Sequence, residues 1–202
     1  MYEFPQDSCR LIVSLTKNFM KRLIALIVIG LSGAVQSQNR VNINAATTLV
    51  GFPSLGYEKP LNAHFSFHID AIGSAFNSYN DMPFRFLIIT PEVRYYPNTA
   101  HRGFYMGGHV GGSTFKLQKY GYENTTLYQK GFNYMMGASI GYVYFISEKI
   151  ALEAFVGGGS VQSFYKGYDT TTGERYEDAK KFNKSGEWLP YRGGISIILQ
   201  LK

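Results

Sequence analysis

The sequence predicts an all-β fold: an eight-stranded antiparallel up-and-down transmembrane β-barrel. Three observations predict it. Side-chain character alternates residue by residue over long stretches, as a strand with two unlike faces requires. Aromatics make up 16% of the 202 residues, with 22 Gly and only 17% charged residues, a usage that suits pleated surfaces and crowded interiors. The connections between strand candidates alternate short and long, the pattern of a barrel with tight turns on one side of a membrane and longer loops on the other.

The chain opens with a segment that does not belong to the fold. Met20-Lys21-Arg22 makes a positive start, residues 23–31 are an apolar run, and Val35 and Ser37 stand at −3 and −1 of a cleavage point before Gln38. This is the pattern of a secretory signal peptide. The apolar run is too short to span a bilayer as a helix, and no cysteine follows the cut to carry a lipid. Residues 1–19 therefore read as an upstream extension with the true start at Met20, 20–37 as the signal peptide, and 38–202 as the barrel. Cys9, the single cysteine, lies in the leader, which excludes a disulfide framework and a cysteine metal site. The formal charge is +6, and about +4 without the leader, with no basic helix or Lys/Arg run; no nucleic-acid partner is expected.

Strand candidates then follow one another. The first is 41–50, with Val41, Ile43, Ala45, Thr47 and Leu49 on one side and Asn42, Asn44 and Thr48 on the other. Gly51-Phe52-Pro53-Ser54 is a turn. The second runs over 55–59 with Glu58 on its polar side, and 60–63 is tight. The third, 64–74, sets Phe65, Phe67, Ile69 and Ala71 against His64, Ser66, His68 and Asp70. A polar loop covers 77–82. The fourth spans 84–96: its first half is apolar on both sides, its second sets Val93 and Tyr95 against Glu92 and Arg94, and Pro91 suggests a bulge or a local loss of pairing. After the short turn 97–102 comes the fifth, 103–117, with Phe104, Met106 and Val110 against Tyr105, Gly107, His109 and Gly111.

A loop over 118–130 leads into the most regular stretch, 132–164. Tyr134, Met136, Ala138, Ile140, Tyr142 and Tyr144 face one way, and Asn133, Met135, Gly137, Ser139 and Gly141 the other. The break at 147–149 fits only a hairpin. Ile150, Leu152, Ala154 and Val156 then alternate with Ala151, Glu153, Phe155, Gly157 and Gly159. A charged loop over 166–187 precedes the last strand, with Ile195, Ile197, Leu199 and Leu201 against Arg192, Gly194, Ser196 and Gln200. Connections after strands two, four and six are short; those after three, five and seven are longer. The first, also short, is the exception. Strands of about ten residues match a tilted crossing of a bilayer.

Certain stretches resemble the small eight-stranded outer-membrane barrels of the OmpA/OmpX type, and an uncharacterised outer-membrane β-barrel domain family of similar length. They are Pro91-Glu92-Val93-Arg94-Tyr95-Tyr96-Pro97, Gly103-Phe104-Tyr105-Met106-Gly107, Gly141-Tyr142, Ile150-Ala151-Leu152-Glu153-Ala154 with Gly157 and Gly159, and the terminal strand. The likeness covers about residues 38–202 and carries no catalytic motif. It implies the cell outer membrane as location and the barrel-assembly machinery as a partner. Such barrels usually end in an aromatic residue; this chain ends Leu201-Lys202.

Parity puts Glu58, His64, His68, Asp70, Glu92, Arg94, Glu153 and Arg192 on the inner face. Eight strands leave an interior only wide enough for side chains, so these charges must pair and hydrogen-bond. They read as a polar network that holds the barrel shut, with a proton or ion path as the competing reading. His64 and His68 share a face but lie about 13 Å apart along a strand, so they do not bind one metal together; no metal and no cofactor is expected. Tyr95, Phe104 and Tyr144 at the turn side, and Phe132, Tyr134, Phe164, Trp188 and Tyr191 at the loop side, read as interfacial girdles, against an ordinary sandwich core. Ser66, Ser113 and Ser139 are available, but no motif marks one as a nucleophile, and no enzyme is expected. The 166–187 loop, mixing Lys180, Lys181 and Lys184 with Glu174, Glu177 and Asp178, reads as a solvated loop or as a contact for lipopolysaccharide or a protein. The expected role is structural or interactive in the envelope, through the outer loops, with outer-membrane lipid, lipopolysaccharide and a surface or periplasmic protein as partners. The alternatives are an outer-membrane lipid-modifying enzyme and a secreted lipocalin-like binder of a small apolar ligand.

Overall fold

A computed structural model describes residues 39–119, 121–122, 124–176 and 183–201, with residues 183 and 184 described by backbone only. The expected upstream extension, signal peptide and cleavage point lie outside these residues. The strands are β1 (Arg40–Asn44), β2 (Ser54–Pro60), β3 (Phe65–Gly73), β4 (Ser78–Tyr79), β5 (Met82–Tyr95), β6 (Gly103–Leu117), β7 (Leu127–Phe145), β8 (Ile150–Asp169) and β9 (Asn183–Gln200). They form one antiparallel up-and-down sheet that closes in a ring. β1 pairs with both β2 and β9. β3 reaches past the two-residue β4 to pair with β5, while β4 pairs only with β5, so eight strands carry the closed wall. Closure gives every wall strand a partner on both sides, although β1 covers only Ser196–Gln200 of β9.

The expected first strand stops early. Val41 and Ile43 are strand residues, but Ala45–Leu49 is a one-turn helix, α1. The Asn44 side chain accepts a hydrogen bond from the Thr47 amide at 3.3 Å, and the Thr47 hydroxyl donates back to the Asn44 carbonyl at 3.3 Å. A short polar side chain that satisfies the next turn's backbone competes successfully with a sheet ladder. The first connection thus runs over 45–53 and joins the long ones, which removes the exception in the alternation of connections. All long connections lie at one end of the ring, and the turns 61–64, 96–102 and 146–149 at the other, with both termini of the wall.

Three further local differences have plain causes. The expected loop 77–82 contains β4 and a tight hairpin, with Asn80 and Asp81 at φ 49° and 60°, conformations that Asn and Asp tolerate and that suit the twist of a two-residue turn. Pro91 makes no bulge: the registers of β5 against β3 and β6 run through it unshifted, and only the partners of Thr90 and Pro91 on β6 are lost. The expected loop 166–187 is shorter, because β8 extends to Asp169 and β9 begins at Asn183. Lys180, Lys181, Glu177, Asp178 and the Lys184 side chain lie outside the described residues.

One bulge does occur, between β8 and β9. Gly157 pairs with Arg192 and Gly159 with Leu189, so Pro190 and Tyr191 together oppose Gly158. Proline has no amide proton for the ladder, and a bulge is where a strand accommodates it.

Which face looks inward is clear along β8, where Leu152 is 36% exposed and the adjacent Glu153 0%. The apolar set lies outside on every long strand, and the charged set inside. In β5, Leu87 and Ile89 are exposed, and Phe84, Phe86 and Ile88 belong to the other face with Thr90, Glu92 and Arg94. The interior is therefore layered along β5. Near the turns, a small core of Tyr96, Tyr105, Val143, Ala151 and Ile198 closes the ring. A charged layer follows. At the loop end, Phe52, Phe76, Phe84 and Phe86 pack ring on ring, with Phe52 5.3 Å from Phe86 and Phe76 5.5 Å from Phe84.

Candidate functional site

The charged layer is built from inward side chains of six strands, β1, β2, β3, β5, β8 and β9. Arg94 on β5 sits at its centre. Its Nε donates to Glu92 Oε2 at 2.8 Å, and its Nη1 to Glu153 Oε1 at 2.7 Å and Glu58 Oε2 at 3.1 Å. Its guanidinium also lies 4.4 Å over the Tyr105 ring. Arg40 adds a second cation to Glu58 at 3.2 Å, and donates to the His101 carbonyl at 3.0 Å. Arg192 donates to Asp70 at 2.7 Å and stands 3.4 Å from Glu92. His68 Nδ1 lies 3.3 Å from Glu92 and 3.8 Å from Asp70.

Neutral donors add further hydrogen bonds to the three glutamates. The hydroxyls of Tyr96 and Tyr105 donate to Glu58 and Glu153, each at 2.8 Å. Ser66 donates to Glu58 and Ser139 to Glu92 through short contacts. Four carboxylates thus share three guanidinium groups, and His68 stands beside the remaining negative charge. In a low-dielectric interior such groups hold one another in place, and losing one strands the rest. Glycine makes the room: a Cβ at Gly107 would overlap the Glu92 carboxylate, and one at Gly141 would lie 2.6 Å from the Tyr105 ring.

The expected inner set is brought together with one exception. Glu58, His68, Glu92, Arg94 and Glu153 are buried, and Asp70 and Arg192 join them at the layer's upper edge. His64 does not belong. It precedes β3 by one residue, is exposed, and points its Nδ1 to the Tyr96 carbonyl at 3.0 Å; parity fails where the strand has not yet begun. Of the expected girdle, Tyr95, Phe104, Phe132, Tyr134, Tyr144 and Trp188 are exposed on the outside, and Phe164 stacks on Phe132 at 5.4 Å. Tyr191 is a correction. The bulge turns both Tyr191 and Arg192 inward, and the Tyr191 hydroxyl meets buried His109 Nε2 at 2.6 Å.

Sequence reasoning missed Arg40, Tyr96 and His101. Arg40 has the parity of Asn42 and Asn44, so carrying the alternation one step back would have found it. Tyr96 and His101 lie in a turn whose path no periodicity describes. His101 takes φ 75° and is buried against Arg40 and Glu58; burial, and then the Arg40 charge, hold its pKa down at about 4.

Between the charged layer and the phenylalanine cluster lies a cavity of about 70 Å³, bordered by Asn42, Asp70, Thr90, Tyr191 and Arg192. It has room for a few waters and no larger guest. Of the three serines weighed as nucleophiles, Ser66 and Ser139 serve carboxylates and Ser113 donates to Asn133 at 2.6 Å. Among the described residues no group of three or more His, Cys, Asp or Glu could hold a metal.

A closed antiparallel ring with its ionic groups inside and its apolar groups outside is the class this geometry defines. The chain belongs to the family described as a protein of unknown function, DUF3575, which matches residues 22–201. No curated protein and no solved structure matches it.

Proposed function

We propose that the protein is an outer-membrane β-barrel of the small, closed kind, similar to the OmpA/OmpX type. Its interior is a packed ionic plug, and its role is structural or interactive in the envelope through the loop end. The observation that carries this reading is the outer wall. On β7, Phe132, Tyr134, Met136, Ile140, Tyr142 and Tyr144 are all exposed, Ile140 by 51%, and so are Leu87, Ile89, Val93 and Tyr95 on β5, Phe104, Met106 and Val110 on β6, and Ile150, Leu152 and Val156 on β8. An exposed apolar surface of this extent is untenable in water and natural in acyl chains. The ionic interior supports the same reading. A barrel that carries a small apolar ligand would invert the two faces, and the about 70 Å³ cavity is too small for one. The hydroxyls committed to carboxylates support a structural role for them rather than catalysis.

On this reading the assembly machinery inserts the chain, the aromatic residues near both rims sit at headgroup depth, and the loops meet the outside. The test is envelope fractionation with gel mobility before and after heating. The chain should leave the membrane only with detergent and should migrate differently once boiled. A chain released in the soluble periplasmic fraction, with one mobility, would overturn the reading.

A further inference from the structure

The outer face of the tall wall carries a row of cations that the apolar band does not explain. Arg85 on β5 is directly opposite Lys116 on β6, Lys116 is opposite Lys130 on β7, and Lys130 is opposite Lys166 on β8. All four have the outward parity. With strands about 4.8 Å apart, the row spans roughly 15 Å. Like charges directly opposed across strands destabilise a sheet, and here the opposition is repeated three times in succession. Among the described residues, Arg85, Lys116 and Lys130 have no carboxylate within ion-pairing distance. An anion lying along Arg85, Lys116 and Lys130 relieves that opposition.

A second observation says what kind of anion. The row borders a groove of about 830 Å³ that also takes in Leu87, Phe132 and Tyr168. Directly toward mid-barrel, a second groove of about 550 Å³ continues from it, lined by Leu87, Ile89, Val110 and Phe132. The trough exists because β6 places glycine outward at position 112, where an added Cβ would find only one backbone oxygen at 3.8 Å. The larger side chains of β5 and β7 form its two banks. A negative group above and a hydrocarbon chain below, in line, describe one amphipathic molecule.

We propose that Arg85, Lys116, Lys130 and Lys166 bind the phosphates of an outer-leaflet lipid of the lipopolysaccharide class, with one acyl chain laid in the trough over Gly112. The inference rests on the membrane reading above and gives it a lipid partner. Each cation–phosphate contact is a charge-assisted hydrogen bond, and their depth is set by the Phe132–Phe164 stack one row below. Lys116 stands 4.7 Å over the Tyr128 ring, which holds its ammonium at the row.

The experiment uses the full chain folded in detergent, with heat-dependent gel mobility confirmed for every variant. Diphosphorylated lipid A, its dephosphorylated form, inorganic phosphate and phosphatidylcholine are the probes, read by native mass spectrometry and by ligand-dependent shifts in thermal unfolding. Lipid A should bind in preference to the other three, and the preference should weaken with salt. The double variant Lys116→Gln/Lys130→Gln should lose at least tenfold in affinity for lipid A. Gly112→Leu, which fills the trough, should weaken lipid A without touching any charge. Lys149→Gln, at the opposite end, should change nothing. Equal binding of the dephosphorylated lipid, equal binding by the double variant, or full competition by inorganic phosphate would overturn the proposal. A heat-modifiable barrel that is indifferent to the probes sinks this inference alone; a chain with no heat shift sinks the membrane reading beneath it.

Discussion

Leu152 and Glu153 are neighbours in the chain and live in opposite worlds: one is 36% exposed on the outer wall, the other 0% exposed among Arg94 and Tyr105. In a water-soluble sandwich the same alternation would be read the other way round. The difference teaches that periodicity fixes the existence of two faces, while the balance of contents decides which one looks outward. A set of Glu, Arg and His that can pair its charges internally belongs inside, and an apolar set on every strand belongs outside only if the solvent is lipid. Substitutions on the two faces should therefore fail by different physics.

The largest effect is expected inside. Arg94→Leu removes the cation shared by Glu58, Glu92 and Glu153, leaving Glu153 buried with no cation and the other two with one fewer, at a cost of about 3–5 kcal/mol. Urea unfolding in lipid vesicles should show either that loss or no folded, heat-modifiable species at all. Wild-type stability in this variant would mean the network is not what holds the interior. Next comes the outer wall. Ile140→Arg, in the middle of β7, should cost about 2–4 kcal/mol in lipid, and Tyr144→Arg, nearer the turns, about 0–1 kcal/mol. Equal effects at the two depths would count against a bilayer around the barrel.

A further effect concerns pH. His101 has a folded pKa of about 4 against an ordinary 6.5, so the unfolded chain takes up its proton first as pH falls. Stability from this group is complete above about pH 6.5 and is lost on the way down to about pH 4, by at most about 1.4 kcal/mol per pH unit. His101→Asn, a side chain that accepts the φ of 75°, should flatten that slope; an unchanged slope would place the titration elsewhere.

Much of this was legible from the sequence. Alternation alone put Glu58, His68, Glu92, Arg94 and Glu153 on one face, because a strand's period is two wherever it is regular. What escaped lies where regularity ends. Ala45–Leu49 turned helical through the Asn44 cap. His64 stood one residue outside β3. Tyr191 was reversed by the bulge at Pro190. The Phe52, Phe76, Phe84 and Phe86 cluster joins two loops to a strand whose parities looked alike. The row from Arg85 to Lys166 could not be seen at all, since it exists only in the register between strands, and no single strand carries more than one of its members per turn of the alternation.

The central claim is that the apolar face meets acyl chains. A nitroxide label at Ile140→Cys, in the chain reconstituted into phospholipid vesicles, tests it by collision rates. The account predicts frequent encounters with oxygen, which concentrates in hydrocarbon, and few with a water-soluble nickel complex. Frequent encounters with the nickel complex at that position would contradict it.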